Sequence, residues 1–308
     1  MLDTAEADTA RDFVLDAPAS IVESLRQHSF RVGGARPDDY GPSGNQERRR
    51  FEAKLRMLTE LEGDALLVPE APALGGFGHE IDGALYNLDT LKFFEALVAL
   101  ERGAVLDEIR APGHRLVCEI GGGWGGFAYQ FKTLFPDVTY VIVDVPERFL
   151  FSATYLMTLF PEAEVRFDVD GDALANREGV DFAFVPARTS DSLHGLQPDL
   201  VLNLTSFQEM TPDQIDGYAR LAWELGCPLI YSFNRDRSPS NPESESVREV
   251  LCRYYWVYEV PLLTLPYTRM PEPTPSLRER AVRWGRSAFA PDSSLDYRHV
   301  VGWRRAST

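Results

Sequence analysis

The chain has 308 residues, of which 44% are hydrophobic, so it can bury one large core or a core with a cap. Its formal net charge of −16 at pH 7 argues against a nucleic-acid partner, because contacts to phosphates need clustered cations. No apolar run approaches the roughly 20 residues of a membrane span. The acidic residues 1–16 lack the basic and apolar blocks of a signal peptide, so we expect no membrane partner.

The cysteines and histidines of the chain predict neither disulfides nor a metal centre. Cys118, Cys227 and Cys252 are too few and too scattered for a disulfide framework. We interpret them as free thiols in a reducing compartment, and we expect a cytoplasmic location. The histidines are dispersed and no C-x-x-C motif occurs, so these residues predict no metal ligands, whereas a magnesium site built from scattered Asp and Glu residues stays open.

The first part of the chain, residues 1–110, reads as helical and irregular. Apolar residues recur at helical spacing over 88–101, and further helices are predicted over 21–27 and 46–61. Loops are predicted where glycine, proline and aspartate cluster, over 32–44 and 71–83. We therefore expect this part to form a helical cap region.

The second part, residues 111–308, alternates strands with helices. Strands are predicted over 115–120, 138–143, 181–185, 199–204 and 228–233, and helices over 124–135, 146–160 and 211–225. A capping box, Thr211 with Gln214, opens the last of these helices. Such alternation is typical of a mostly parallel, doubly wound α/β sheet. Two later strands, over 254–260 and 297–304, suit its antiparallel end.

The sequence leaves the structure or role of two segments of the second part undecided. Residues 164–168 fit either the edge of a separate hairpin or the third strand of the sheet. An insertion at about 261–290 separates the last two strands, and it contains a proline-rich stretch and a candidate helix. Two roles stay open for this insertion: it could cover the substrate, or it could form a contact in a homo-oligomer.

A glycine loop follows the strand predicted over 115–120. Gly121, Gly123 and Gly126 satisfy G-x-G-x-x-G, which alone permits a dinucleotide. Glu119 adds a carboxylate, and with Gly121, Gly123 and Gly125 it spells E-x-G-x-G-x-G. A carboxylate beside this loop would repel a pyrophosphate but attract the cationic α-amino group of a methionine moiety. The charge therefore favours a nucleoside that carries such a group.

The pattern E-x-G-x-G-x-G resembles the first motif of class I S-adenosylmethionine-dependent methyltransferases. Residues 118–127, 144–147 and 206–210 together resemble the sugar O-methyltransferase family, over about residues 76–233. The resemblance implies a seven-stranded sheet, S-adenosylmethionine as cofactor and S-adenosylhomocysteine as product. It also implies a hydroxyl of a sugar or glycosylated metabolite as acceptor, in a pocket shaped by residues 1–110. An NAD(P)-dependent oxidoreductase and a catalytically inactive S-adenosylmethionine-binding protein stay open as alternatives.

The predicted cofactor residues mostly lie at strand ends or in the loops that follow them, where open α/β sheets bind ligands. They are Glu119, Gly121, Gly122, Gly123, Gly125, Asp144, Val145, Pro186, Ala187, Asn203, Leu204 and Tyr86. Asp144 is expected to accept hydrogen bonds from ribose hydroxyls, and Val145 to lie near the adenine. Pro186 and Ala187 are candidates for the adenine edge, and Tyr86 for packing against the cofactor.

The predicted mechanism is in-line displacement at the methyl group, in which positioning supplies much of the rate. Two residues are candidates for the general base that takes the hydroxyl proton. Glu209 follows the strand predicted over 199–204, in a segment that class I methyltransferases place beside the methyl acceptor. His79 lies in a glycine-rich loop, and an imidazole has a pKa near neutrality.

Overall fold

The computed structural model describes residues 22–40, 45–167, 169–175, 179–235, 246–263 and 297–306. Most of the insertion predicted at 261–290, including its helix, lies outside these residues. The strands are β1 (His79–Ile81), β2 (Ala84–Tyr86), β3 (Leu116–Ile120), β4 (Thr139–Asp144), β5 (Val165–Phe167), β6 (Phe182–Pro186), β7 (Leu200–Leu204), β8 (Leu229–Arg235), β9 (Tyr255–Glu259) and β10 (Tyr297–Arg304). The α-helices are α1 (Leu25–His28), α2 (Asn45–Glu62), α3 (Leu88–Arg102), α4 (Val105–Arg110), α5 (Gly126–Leu134), α6 (Pro146–Leu159), α7 (Gly171–Ala175), α8 (Pro212–Glu224) and α9 (Val247–Leu251).

The main sheet has the strand order β5-β6-β4-β3-β7-β8-β10-β9. Its first six strands pair in parallel, whereas β10 runs antiparallel to both β8 and β9. The predicted doubly wound, mostly parallel sheet is therefore confirmed. The predicted count of seven strands was wrong, since the sheet has eight. The additional strand is β5, which pairs with the outer side of β6, so residues 164–168 contribute a strand beside the one predicted over 181–185.

The sheet forms because its central strands are almost entirely apolar. Every residue of β3, β6 and β7 is buried, as expected for parallel strands covered on both faces. Side chains alternate between the faces: Val117 packs with α2 and α3, whereas Cys118 packs with α8. Two apolar cores, one on each face, hold the helices against the sheet.

The loop predicted over 71–83 contains a strand that the prediction missed. Strands β1 and β2 form a hairpin in which His79 pairs with Tyr86 and Ile81 with Ala84. Its two-residue turn is Asp82-Gly83, and both residues have positive φ angles, 51° and 82°. An Asp-Gly pair is a preferred sequence for such a turn, because both residues tolerate positive φ angles. The signal was therefore present in the sequence.

The first described segment, residues 22–40, packs against the glycine loop through Arg26. In place of the helix predicted over 21–27, the described part forms the short helix α1 and the 3₁₀ turn Ser29–Val32. Arg26 is 1% exposed, and its guanidinium lies 3.8 Å from the centre of the Trp124 ring. It pairs with Glu70 at 2.6 Å and with Asp89 at 2.9 Å.

The segment 22–40 and helices α2 and α3 share one core with the sheet. The division of the chain between residues 110 and 111 stays a prediction. The free thiols of Cys118 and Cys227 are buried in the second core. Within the described ranges, no helix combines the length and apolar character of a membrane span, and no three His, Cys, Asp or Glu side chains group as metal ligands.

Candidate functional site

A cleft of about 540 Å³ opens at the carboxyl ends of β3, β4 and β7. The chain continues from β3 to β4 on one side and later returns to β7 on the other side, so the strand order reverses here. Open α/β sheets bind ligands at such a point, because two neighbouring loops diverge and leave a crevice. Its volume lies within the usual range of small-molecule sites.

The glycine loop forms the floor of this cleft. Gly121, Gly122 and Gly123 line it, and Gly121 has a φ angle of 77°. A side chain at Gly121 would collide with Ser206 Oγ, so this position needs glycine for space as well as conformation. Gly125 precedes α5 and faces Ser152 instead of the cleft. The loop thus presents bare backbone to a ligand.

Glu119 is buried beside this loop, with 2% of its surface exposed. Tyr140 Oη donates a hydrogen bond to Glu119 Oε2 at 2.9 Å. Burial raises the pKa of Glu119 to about 8, whereas the Tyr140 hydrogen bond and the Lys92 cation lower it. Among the described residues, none donates a hydrogen bond to Oε1, so this oxygen can accept one from a ligand.

Asp144 is the last residue of β4 and lies beside the glycine loop. Its Oδ2 accepts a hydrogen bond from Gly123 N and its Oδ1 one from Val145 N, both at 2.8 Å. Burial raises the pKa of Asp144, whereas Arg148 and these two hydrogen bonds lower it. The bonds orient the carboxylate at the cleft wall, and each oxygen keeps a lone pair for a ligand hydroxyl.

Asn203 holds the loop after β7 in place and does not itself line the cleft. Its Nδ2 donates to Ile120 O at 2.7 Å, and its Oδ1 accepts from Phe207 N at 3.0 Å. Between these contacts Thr205 adopts a φ angle of 63°, which is unfavourable for a residue other than glycine. Thr205 lines the cleft together with Leu204, so Asn203 positions the residues that a ligand would touch.

Besides Gly125 and Asn203, three further predicted residues do not line the cleft. His79 contacts the rings of Tyr40 and Phe51, at centroid distances of 5.0 and 5.3 Å. Burial lowers the pKa of His79, and the Arg48 cation lowers it further. Tyr86 lies on β2 in the same hairpin. Pro186 ends β6, and its neighbour Ala187 lines the cleft in its place.

Glu209 lies at the rim of the cleft. It ends the 3₁₀ turn Phe207–Glu209, and its side chain is exposed. The same rim carries further polar side chains, Glu147, Arg148 and Gln214. Such groups can exchange hydrogen bonds with the hydroxyls of a polar acceptor.

Several residues of the cleft were missed by the sequence predictions. They come from the segment 22–40, from helices α3, α6 and α8, from the glycine loop and from the turn after β7: Phe30, Arg31, Val32, Gly33, Lys92, Phe93, Trp124, Arg148, Thr205 and Tyr218. For Lys92 the sequence did carry a signal, because it stands between Leu91 and Phe93 in an apolar helix. The contact of residues 30–33 with the glycine loop had no local signal.

No protein-family model matches the chain, and no curated protein matches its sequence. Solved structures do resemble it. A carbon methyltransferase, CurJ, is 12% identical over 89% of this chain and 72% of that chain, with a TM-score of 0.43. Human N-acetylserotonin methyltransferase is 12% identical over 85% of this chain and 68% of that chain, with a TM-score of 0.36. The S-adenosylmethionine-dependent methyltransferase SibL is 12% identical over 86% of this chain and 71% of that chain, with a TM-score of 0.39.

The order and direction of the strands define the fold as a class I methyltransferase fold, with β5 added at one edge. The cleft lies where this kind of sheet binds ligands. The similar structures are too distant in sequence and superposition to assign an activity.

Proposed function

We propose that the protein is an S-adenosylmethionine-dependent O-methyltransferase that acts on a hydroxyl of a sugar or glycosylated small molecule. One observation carries this proposal: the buried carboxylate of Glu119 lies beside a glycine loop that opens into a nucleoside-sized cleft. A buried carboxylate is costly without a cationic partner, and the α-ammonium group of the cofactor supplies one.

The other residues of the cleft fit the rest of the same ligand. Asp144, held by two backbone N–H groups, suits the ribose hydroxyls. Val145 and Ala187 line the adjoining wall and suit the adenine ring. A dinucleotide fits less well, because its diphosphate would approach Asp144 in a partly desolvated cleft, where like charges repel strongly, and Glu119 offers the diphosphate no positive charge.

S-adenosylmethionine would supply an electrophilic methyl group when bound. Thr205 and Ser206 shape the wall next to the glycine loop and would orient the acceptor. Glu209, at the rim, would take the hydroxyl proton as the acceptor oxygen bonds to the methyl carbon. The polar rim residues Glu147, Arg148 and Gln214 support a polyhydroxylated acceptor.

Calorimetry and a transfer assay test this proposal together. We expect S-adenosylhomocysteine to bind to the purified protein, and NADH and NADPH not to bind. With methyl-labelled S-adenosylmethionine and a panel of sugars, nucleotide sugars and glycosides, label should enter an acceptor hydroxyl. Glu209→Gln should lower turnover about a hundredfold and leave affinity for S-adenosylhomocysteine nearly unchanged, because only the proton acceptor is lost.

Asp213→Asn is a matched control, since Asp213 is an exposed acid nearby that does not line the cleft. This variant should keep the turnover of the natural chain. Equal turnover of the two variants would remove Glu209 from the mechanism. Binding of a nicotinamide dinucleotide without binding of S-adenosylhomocysteine would overturn the proposed function.

A further inference from the structure

The chain has three lysines, and all of them are buried. Lys54, Lys92 and Lys132 are 0%, 7% and 5% exposed. A lysine is seldom buried without a partner for its charge, because removing an ammonium group from water is costly. The acceptors around Lys132 and Lys92 differ.

Lys132 is a buried lysine whose ammonium group has a full set of acceptors. Its Nζ donates hydrogen bonds to Pro136 O and Val138 O, both at 2.6 Å. It also pairs with Asp181 Oδ1 at 2.7 Å. An ammonium group has three donors, and here each has an acceptor at close range.

Lys92 has no comparable set of acceptors. Its nearest carboxylate oxygen is Asp89 Oδ1, at 3.5 Å, beyond an ordinary charge-assisted hydrogen bond. Asp89 is already engaged through Oδ2, which accepts from Arg26 at 2.9 Å and from Ala35 N at 2.7 Å. The other partner of Lys92 is the Phe93 ring, whose centre lies 4.8 Å from Nζ, so among the described residues the Lys92 charge lacks an oxygen acceptor at close range.

Lys92 and Glu119 both line the cleft. The two are near enough for the Lys92 cation to lower the pKa of Glu119, yet these two described side chains form no direct ion pair. Glu119 instead keeps its hydrogen bond from Tyr140. Lys92 and Glu119 thus both line the cleft without pairing with each other.

We propose that Lys92 binds the α-carboxylate of S-adenosylmethionine while Glu119 binds its α-ammonium group, so that the pair recognises an amino-acid zwitterion. This inference rests on the proposed function and adds a binding residue to it. A ligand carboxylate would give the buried ammonium group the close acceptor that Asp89 does not provide. The matched charges also select against nucleosides without the amino-acid tail.

The test compares three ligands by calorimetry on the full chain. S-adenosylmethionine carries both charges of the amino acid, decarboxylated S-adenosylmethionine lacks the carboxylate, and 5′-methylthioadenosine lacks the whole tail. The natural chain should bind S-adenosylmethionine about tenfold to a hundredfold more tightly than the decarboxylated ligand, the range expected of a charged hydrogen bond. In Lys92→Met this ratio should fall to near one, whereas Lys92→Arg should retain part of it.

The natural chain, Lys92→Met and Lys92→Arg should bind 5′-methylthioadenosine with the same affinity. Equal affinity would also show that both variants are folded. The inference is overturned if Lys92→Met weakens all three ligands equally, or if the natural chain does not distinguish S-adenosylmethionine from its decarboxylated form. The comparison of S-adenosylmethionine with its decarboxylated form uses the natural chain alone, so it tests the inference even if Lys92→Met does not fold. If none of the three ligands binds to the natural chain, the proposed function fails as well.

Discussion

The carboxylates of Glu119, which is buried, and of Asp144, which is half-buried, have different partners in the cleft and therefore different chemistry. Asp144 accepts hydrogen bonds from two backbone N–H groups, which stabilise its ionised form. Glu119 has one hydrogen bond, from Tyr140, and burial raises its pKa to about 8. At neutral pH the Glu119 carboxyl of the free protein is therefore mostly protonated. A cationic ligand would favour its ionised form.

The raised pKa of Glu119 predicts a pH-dependent affinity. Below about pH 8 a cationic ligand must displace the proton of Glu119, so affinity should rise from pH 6 to pH 8 by tenfold or more. Decarboxylated S-adenosylmethionine is the suitable probe, because its alkyl amine stays charged over this range. Calorimetry in buffers of different ionisation enthalpy should show that binding releases a proton.

Three groups that face Glu119 bear on this titration: Tyr140, Asp144 and Lys92. Burial and the neighbouring Glu119 carboxylate raise the pKa of Tyr140 well above its ordinary value of about 10, so Tyr140 stays neutral from pH 6 to pH 8. Glu119→Gln should therefore bind the probe weakly and with no rise in affinity over this range. A rise of the same size in Glu119→Gln would assign the titration to another group.

At the scale of elements, the cleft is built from the sheet edge and from a segment distant in sequence. The glycine loop, the end of β4 and the turn after β7 supply one wall. Residues 30–33 supply another, and the carbonyl of Val32 lies close to Gly123. Arg26 holds this segment through Glu70 and Asp89, whose side chains are as buried as its own.

We predict that Arg26→Met lowers the free energy of unfolding by about 3–5 kcal/mol, since it leaves two buried carboxylates without their shared cation. Urea denaturation measures this loss. The affinity for S-adenosylhomocysteine should fall as well, because residues 30–33 lose the contact that places them beside the loop. Adding Glu70→Gln to Arg26→Met should recover part of the stability.

The exposed pair of Arg48 and Glu52 provides a control of the same chemical kind. Their side chains are 47% and 31% exposed, so Arg48→Met should cost less than about 1 kcal/mol. Equal losses in Arg26→Met and Arg48→Met would show that the buried network does not anchor the segment.

At the scale of the whole molecule, the sequence predicted the sheet well because its signals are local. Buried apolar runs marked β3, β4, β7 and β8, and the capping box at Thr211 marked the start of α8. The glycine loop and Asp144 come together at the cleft because neighbouring parallel strands end at the same edge. These relations follow from strand direction and spacing alone.

The rest of the site could not be predicted in this way, because its contacts join distant parts of the chain. Arg26 is 44 residues from Glu70 and 63 residues from Asp89, and no local pattern encodes such pairs. His79 shows the opposite error. Its glycine-rich surroundings suggested a loop near the cleft, whereas the Asp82-Gly83 turn places it in a hairpin against Tyr40 and Phe51.

A crystal structure of the full chain with S-adenosylhomocysteine would show directly whether Glu119 binds the amino group of the cofactor. We expect the α-ammonium nitrogen within hydrogen-bond distance of Glu119 Oε1, and the ribose hydroxyls at the Asp144 carboxylate. A nucleoside bound elsewhere on the protein, or a dinucleotide whose diphosphate lies beside Glu119, would contradict the account.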